Sequence, residues 1–272
     1  MRQNLRQLVL AVVAALFSVG PVFADINIKK THLVFCHEDK NAYPWVFPVK
    51  ETNSVSGLDI EMMALLESEL GIPIKLGAYP WKRCLQLMAA GQVDGAFAAS
   101  FKTERLKMGS YPKLPSGAYD SHKRIHTSGY SLYRLKNSNI EWDGKQFKNL
   151  EGSIGVQAGF SIVEKLNKLK VITEETGGVE RNLHKLLLKR VQAVALQTLR
   201  ADYVLDTISQ FKEKIEKYPI PISEKPYYLM LSFDMVKTHP LLSKAIWNKL
   251  AMLRESERYK EIVRKFWQKE KK

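Results

Sequence analysis

The chain has 272 residues, 45% of them hydrophobic, and a formal net charge of +14 at pH 7. This length suffices for one large or two modest domains. Its lysines and arginines are scattered among acidic residues, as in KEKIEK and RKFWQKEKK, and form no stripe with interleaved aromatic residues. The charge therefore indicates solvated helix faces and argues against a nucleic-acid partner.

The first 24 residues have the pattern of a secretory signal peptide. Arg2 and Arg6 precede an apolar run over residues 8–19, and the segment closes on the small residue Ala24. The run is shorter than the ~20 apolar residues that a membrane span needs, and a Gly-Pro pair interrupts it. We predict cleavage after Ala24 and export of the mature chain, residues 25–272, to the periplasm.

The mature chain begins with alternating strand and helix patterns. LVFC predicts a buried strand, GLDIEMMALLESELG a helix that ends at Gly71, and IPIKLGAY a second strand. WKRCLQLMAAG predicts a helix that ends at Gly91, and VDGAFAAS predicts a third strand of small residues. This β-α-β-α-β order predicts a parallel sheet with right-handed crossovers.

A second unit of the same kind follows, between about residues 124 and 222. Its predicted strands are SGYSLYRLK, EGSIGVQAG, KVITE and VQAVALQ, and its predicted helices are FSIVEKLNKL, VERNLHKLLLKR and LRADYVLDTI. Beyond it, YYLMLSFDMV predicts a strand, and the segment from Pro240 onward predicts two helices. Two α/β units predict a cleft between them, where ligands bind just beyond the carboxyl ends of strands.

The candidate site residues follow the predicted strands or begin the helices after them. They are Glu38, Asp39, Tyr43, Trp45, Trp81, Arg83, Ser100, Arg105, Phe160, Ser161 and Thr198. Arg105 is the most informative, because a guanidinium one loop beyond a buried strand can form a bidentate pair with a carboxylate or a phosphate.

Structural interpretations of the same residues stay open. Arg105 has Glu104 or Asp120 as an alternative surface partner, and Arg83 suits an ion pair within its own lobe. The tryptophans are also typical core residues, and Ser161 is also a helix N-cap.

Two cysteines, Cys36 and Cys84, allow either a disulfide in an exported chain or two buried thiols. The closest pair of histidines, His122 and His126, lies in a segment whose serine and glycine residues oppose a helix. No histidine has metal-ligand spacing to a cysteine. We predict no metal site, no other cofactor and no Cys-His nucleophile.

Over nearly its whole length, the mature chain resembles the family 3 extracellular solute-binding proteins, the polar amino-acid-binding group of bacterial ABC-transporter receptors. The resemblance is carried by GLDIEMMALLESELG, AAGQVDGAFAASFKTER, NLEGSIGVQAGFS and ESERYKEIVRKFW. It implies an α/β periplasmic-binding-protein-like type II fold, with lobe 1 formed by 25–120 and 224–272 and lobe 2 by 121–223. It also implies a monomeric receptor with a small-molecule ligand and an inner-membrane ABC permease as its partner.

The resemblance assigns ligand contacts residue by residue. The family arginine that holds the ligand α-carboxylate falls on Arg105, and the hydroxyl residue upstream of it falls on Ser100. The hydroxyl residue of lobe 2 that also meets the carboxylate falls on Ser161. The family aromatics fall on Trp81 and near Tyr43 and Trp45, and the acidic group for a ligand amine falls on Asp39 or Glu38.

Two departures from the family pattern concern the ligand. Thr198 stands where an aspartate commonly takes the α-ammonium of an amino acid, and Phe160 replaces an expected hydroxyl residue. Fewer acids and more bulk point away from a standard free amino acid.

An enzyme on the same scaffold, similar to periplasmic dehydratases, is the alternative function. It needs a general acid or base, for which Glu38, Asp39 or Glu174 are the candidates. Because the sequence offers no clear acid–base pair, we predict a binding protein that is not an enzyme. A ligand-sensing module is a third possibility.

Overall fold

The computed structural model describes residues 30–49 and 54–269, and the predicted signal peptide lies outside them. The helices of this part are α1 (Leu58–Leu70), α2 (Trp81–Ala89), α3 (Ile162–Lys168), α4 (Val179–Leu187), α5 (Thr198–Thr207), α6 (Ser209–Lys214), α7 (Phe233–Thr238), α8 (Pro240–Glu255) and α9 (Glu257–Lys269). Within the described ranges, none of these helices combines the length and the apolar composition needed to span a membrane.

The described part of the chain contains strands of two to ten residues. They are β1 (Leu33–Glu38), β2 (Phe47–Val49), β3 (Ser54–Ser56), β4 (Ile74–Tyr79), β5 (Gly95–Ser100), β6 (His126–Leu135), β7 (Glu141–Trp142), β8 (Phe147–Lys148), β9 (Ile154–Gln157), β10 (Thr173–Thr176), β11 (Ala193–Gln197), β12 (Ile215–Lys217) and β13 (Ser223–Leu231).

One nine-stranded sheet runs through both lobes in the order β10-β9-β11-β6-β13-β5-β1-β4, with β12 paired to β6. Strands β1, β4 and β5 are parallel, as are β9, β10 and β11. Between these groups, β6 and β13 are antiparallel to each other. The predicted α/β architecture of two lobes is confirmed, but the sheet is mixed and not wholly parallel.

The two long strands β6 and β13 connect the lobes. Strand β6 pairs with β13 over its first half and with β11 over its second half, up to Tyr133. Strand β13 pairs first with β6 and, from Tyr227 onward, with β5. Each strand therefore starts beside one lobe and ends in the other. The predicted lobe boundaries, at 120/121 and 223/224, remain a proposal, and both lie close to these crossing strands.

Local signals explain several element ends. Helix α1 buries Met62 and Leu66 and stops at Gly71, whose left-handed φ of 64° suits a residue without a Cβ. The predicted strand YYLMLSFDMV is wrong in its second half. Ser232 ends the strand because its hydroxyl caps α7, where it accepts a hydrogen bond from Met235 N at 3.0 Å.

Apolar packing continues across the boundary between the lobes. One cluster packs Met62 and Ile246 against a face of lobe 1, and another surrounds Phe211 in lobe 2. A third runs from Met88 on α2 to Trp142 in lobe 2. This third cluster gives the lobes a shared apolar contact on the α2 side of the sheet.

A disulfide joins Cys36 on β1 to Cys84 on α2, with the Cα atoms 5.7 Å apart. Both residues are fully buried. The bond ties α2 to the strand at the centre of lobe 1. It thereby fixes the start of α2, where Trp81 lies three residues before Cys84.

We expect loss of this disulfide to lower the free energy of unfolding by about 2–4 kcal/mol, because the bond closes a loop of 48 residues. The double variant Cys36→Ala with Cys84→Ala should show this loss in urea unfolding. A reductant should destabilise the wild type by a similar amount and leave the double variant unchanged. Equal stability of the wild type and the variant would contradict a structural role for the bond.

Candidate ligand-binding site

A cavity lies between the lobes. Its wall is formed by His37, Glu38, Ala42, Trp45, Val46, Trp81, Phe97, Ala98, Ser100, Arg105, His126, Tyr130, Phe160, Gln197, Arg200 and Tyr227. Its lining is mostly apolar with a few fixed polar groups, which is typical of small-molecule sites.

Several of the predicted site residues line this cavity. They are Glu38, Trp45, Trp81, Ser100, Arg105 and Phe160. These residues come from the carboxyl ends of β1 and β5, from the loop after β1, from the start of α2 and from the loop before α3. The structure therefore brings together groups that lie up to 122 residues apart in the sequence.

The other candidates lie outside the wall. Asp39 is exposed, with Lys40 3.9 Å away, and Arg83 is exposed on α2. Thr198 shares a 2.9 Å hydrogen bond with Ser131. Tyr43 stacks on Tyr203, with 4.3 Å between ring centroids, and Ser161 lies behind Ser100, whose hydroxyl it contacts at 2.8 Å.

Arg105 is the central cation of the site. It lies in a short 3₁₀ turn, Thr103–Lys107, directly after β5, and is only 3% exposed. Its Nη1 donates to the carbonyl of Ser100 at 2.5 Å, and its Nη2 donates across the cleft to the carbonyl of Gly159 at 3.1 Å. The guanidinium also lies 5.2 Å from the ring centroid of Trp81.

No acidic side chain in the described residues pairs with Arg105. Its two alternative partners are engaged elsewhere: Glu104 with Lys102 at 2.7 Å, and Asp120 with Lys123 at 3.6 Å. A buried cation without a counter-charge is costly. The site is thus electrostatically suited to an anion.

Three hydrogen-bond donors of the wall are buried and have no partner among the described residues. They are Nε of Arg105, Nε1 of Trp45 and Nε1 of Trp81. A buried donor without an acceptor costs about 1–3 kcal/mol. A bound group with several lone pairs, such as a carboxylate, is suited to remove that cost.

Backbone geometry places these groups. Ala98, within β5, has a left-handed φ of 60°, and opposite it the register of β13 shifts between Tyr228 and Met230. This irregularity redirects the end of β5 that carries Ser100. At Gly57, a Cβ would approach the carbonyl oxygen of Trp45 to 2.2 Å, so only glycine lets this loop lie against α1.

A second arginine, Arg200, bridges the lobes. It is 4% exposed, and its Nη1 pairs with Glu38 at 2.8 Å. Its Nη2 donates to the carbonyl of Asn41 at 2.7 Å. Glu38 also accepts from Gln157 Nε2 at 2.6 Å. Both oxygens of Glu38 are therefore engaged by lobe 2, although the sequence pattern offered this carboxylate for a ligand amine.

Arg200 was missed in the sequence, although a signal existed. It lies in the first turn of α5, three residues after β11 ends at Gln197, where helices begin beside the cleft. Its partner Glu38 is 162 residues away, so no local pattern indicates the pair.

His126 is held in a fixed orientation at the wall. Its Nδ1 lies 2.8 Å from Oδ1 of Asp59, which is fully buried at the start of α1. The imidazole stacks on Trp45, with 3.7 Å between centroids and 4° between planes. Its Nε2 is buried and has no partner among the described residues. The sequence had singled out His126 only as an unlikely metal ligand.

The remaining polar wall is neutral. Burial lowers the pKa of His37, against the opposing effect of its hydrogen bond to the Glu38 carbonyl. Gln197 Nε2 donates to Tyr227 Oη at 2.7 Å, and Tyr227 donates to Tyr130 Oη at 3.2 Å. Burial raises the pKa of both tyrosines, so these phenols stay protonated at neutral pH.

Known structures share this architecture. A histidine kinase sensor domain with similarity to periplasmic binding proteins has a TM-score of 0.71 and 13% identity, over 87% of this chain and 96% of that chain. An arginine 3rd transport system periplasmic binding protein from Legionella pneumophila has a TM-score of 0.69 and 16% identity, over 87% of this chain and 100% of that chain. An ancestral amino acid-binding protein, a precursor of cyclohexadienyl dehydratase, has a TM-score of 0.66 and 16% identity, over 88% of this chain and 96% of that chain. The predicted type II fold is confirmed.

No curated protein sequence matches the chain. A family model described as bacterial extracellular solute-binding proteins, family 3, matches residues 34–269. This range includes both lobes, the two crossing strands and every residue of the cavity wall. The chain therefore belongs to the bacterial extracellular solute-binding proteins, family 3.

Proposed function

We propose that this protein is exported to the periplasm as a monomer, captures a small carboxylate-bearing solute by closure of its two lobes, and delivers it to an ABC permease in the inner membrane. The predicted signal peptide and the family support the location. The observation that carries the ligand class is the buried Arg105 guanidinium, which has no acidic partner among the described residues.

The charge of the wall favours an anion over a cation. Arg105 and Arg200 face a single lining carboxylate, Glu38, and Arg200 already pairs with it. A cationic solute would meet the uncompensated guanidinium of Arg105, and its own charge would lack a free carboxylate in the described wall. Solutes such as arginine therefore fit this cavity less well than acids do.

Closure follows from the contacts between the lobes. Arg105 bonds to the carbonyl of Gly159, Ser100 to Ser161, and Arg200 to Glu38. A ligand drives closure only by its differential affinity for the closed form, so it should touch residues of both lobes. In this proposal a carboxylate at Arg105 neutralises the guanidinium just where lobe 2 approaches it.

The enzyme alternative lacks a free carboxylate in the described wall. Glu38 is paired with Arg200, Asp39 is exposed, and Glu174 pairs with Lys185 at 2.7 Å outside the cavity. A sensory module would bind its ligand in the same way. Binding to an ABC permease distinguishes a transport receptor from such a module. We therefore retain the transport receptor as the proposed function.

A thermal-shift screen of amino acids, their deaminated acids, amines, sugars and peptides tests the ligand class. We expect carboxylates to raise the melting temperature, because a ligand at a hundred times its Kd stabilises the folded state by about 2.7 kcal/mol. Stabilisation by amines or sugars alone would contradict the proposal.

The same ligand should depend on Arg105. We expect Arg105→Ala to lower the affinity of the best carboxylate by about 2–5 kcal/mol, or roughly 30-fold or more, in isothermal titration calorimetry. Arg181→Ala, at an exposed arginine of α4, is the matched control and should change nothing. Undiminished binding by the Arg105 variant would remove the central role of this residue.

The Arg200–Glu38 pair should stabilise the closed form. In Glu38→Ala, Arg200 would be buried unpaired on closure but solvated in the open form, so affinity should fall roughly 10-fold or more. Glu216→Ala removes a carboxylate that pairs with Arg134 at 2.9 Å within lobe 2, and it should leave affinity unchanged. Small-angle scattering should show a smaller ligand-induced compaction only for the Glu38 variant. Equal compaction and affinity in both variants would exclude a role in closure.

A further inference from the structure

The Asp59–His126 pair presents one specific nitrogen to the cavity. An ionised carboxylate can only accept hydrogen bonds, so the 2.8 Å contact with Asp59 Oδ1 places the proton of His126 on Nδ1. In the neutral imidazole, Nε2 then carries a lone pair. Because the ring is 6% exposed and stacked between Trp45 and Tyr227, it cannot turn to present another atom.

Around His126, two guanidinium groups, of Arg105 and Arg200, face the cavity with Glu38 as the single lining carboxylate, and the buried Asp59 carboxylate contacts Nδ1. When Nδ1 alone carries a proton, the imidazole donates that N–H to Asp59 and adds no positive charge beside the guanidinium groups. In this form Nε2 is an acceptor that has no donor among the described residues.

The carboxylate and amide oxygens of the wall side chains are occupied. Glu38 accepts from Arg200 and Gln157, and Gln197 Oε1 accepts from Arg200 at 3.0 Å. Among the described side-chain atoms that line the cavity, are buried and have no partner, three are donors and His126 Nε2 is the acceptor. The complementary solute therefore offers several lone pairs and one hydrogen-bond donor.

The rest of the wall is largely aromatic. Trp45, Trp81, Phe97 and Phe160 contribute rings that carry no charge. Aromatic side chains favour flat apolar partners in stacked or edge-on contact. A ring in the solute would use this surface better than a polar chain would.

We propose that His126 Nε2 accepts a hydrogen bond from the bound solute, and that the solute is an aromatic carboxylate with a hydroxyl or ammonium donor. This inference rests on the proposed function, because it places the carboxylate at Arg105. His126 then determines specificity, and Asp59 is a positioning residue that fixes the tautomer. In this role His126 accepts the hydrogen bond that an aspartate at the position of Thr198 commonly accepts in the family.

Three probes with the same ring and carboxylate test this assignment: phenyllactate, phenylalanine and 3-phenylpropionate, which carry a hydroxyl, an ammonium or no donor on the α-carbon. We expect the wild-type protein to bind phenyllactate or phenylalanine at least about 10-fold tighter than 3-phenylpropionate in isothermal titration calorimetry. The reason is that the analogue without a donor leaves Nε2 buried and unpaired. The better of the first two identifies the donor.

The variant His126→Phe keeps a ring in the stack and removes the acceptor. It should abolish the preference by weakening the donor-bearing probe and not 3-phenylpropionate. His184→Phe, at an exposed histidine of α4 that contacts Phe211 edge-on, is the matched control and should keep the preference. If the His126 variant does not fold, ¹⁵N NMR of the wild type tests whether Nε2 is the acceptor. It should show Nε2 unprotonated and shifted by the donor-bearing probe alone.

Three results would overturn the inference: equal or tighter binding of 3-phenylpropionate, a protonated Nε2 at neutral pH, or no binding of any of the three probes. The thermal-shift screen separates this failure from failure of the proposed function. A non-aromatic carboxylate that binds in an Arg105-dependent manner would keep the receptor and refute the aromatic ligand.

Discussion

The buried guanidinium of Arg105 is the constraint on which the arrangement of the two lobes depends. It donates one hydrogen bond to the carbonyl of Ser100 in lobe 1 and another to the carbonyl of Gly159 in lobe 2. These neutral acceptors orient the group but do not cancel its charge. In a site of low dielectric, the charge gains most from an anion that arrives between the lobes. In the proposed function, capture of the solute and closure of the lobes therefore depend on the same electrostatic interaction.

Arg200 has a different role, because the carboxylate of Glu38 already compensates its charge. Arg200 binds Glu38 and the loop carbonyl of Asn41, so it links the lobes and leaves no free carboxylate beside it. In the proposed function, one guanidinium serves the solute and the other serves the contact between the lobes. Aromatic rings lie beside both guanidinium groups, Trp81 beside Arg105 and Phe160 beside Arg200, and a low local dielectric strengthens both interactions.

Much of the fold could be predicted because it depends on local patterns. The helix α1 and its end at Gly71, the buried strand β5 and the placement of Arg105 one loop beyond it all follow from spacing and turn residues. The antiparallel crossing strands could not be predicted in this way. The pairing of β6 with β13 joins segments almost a hundred residues apart, so no local signal fixes its direction or register.

The site residues likewise divide into those that local patterns predict and those that depend on distant partners. Ser100 and Trp81 follow from the rule that ligands bind beyond strand ends. Arg200 also lies just beyond a strand end, but the pairings of His126 and Arg200 cannot be predicted in this way, because their partners are 67 and 162 residues away. Glu38 shows the converse limit of local patterns, because the arginine that pairs with it lies 162 residues away. A carboxylate at a strand end is a reasonable ligand contact until a distant arginine occupies it.

The most direct test of a carboxylate at Arg105 is a crystal structure of the protein with the carboxylate that stabilises it most. The account predicts a carboxylate oxygen within about 2.7–2.9 Å of Arg105 Nε, with contacts from both lobes to the same molecule. A solute bound elsewhere, or one in the cavity whose carboxylate does not touch Arg105, would contradict it.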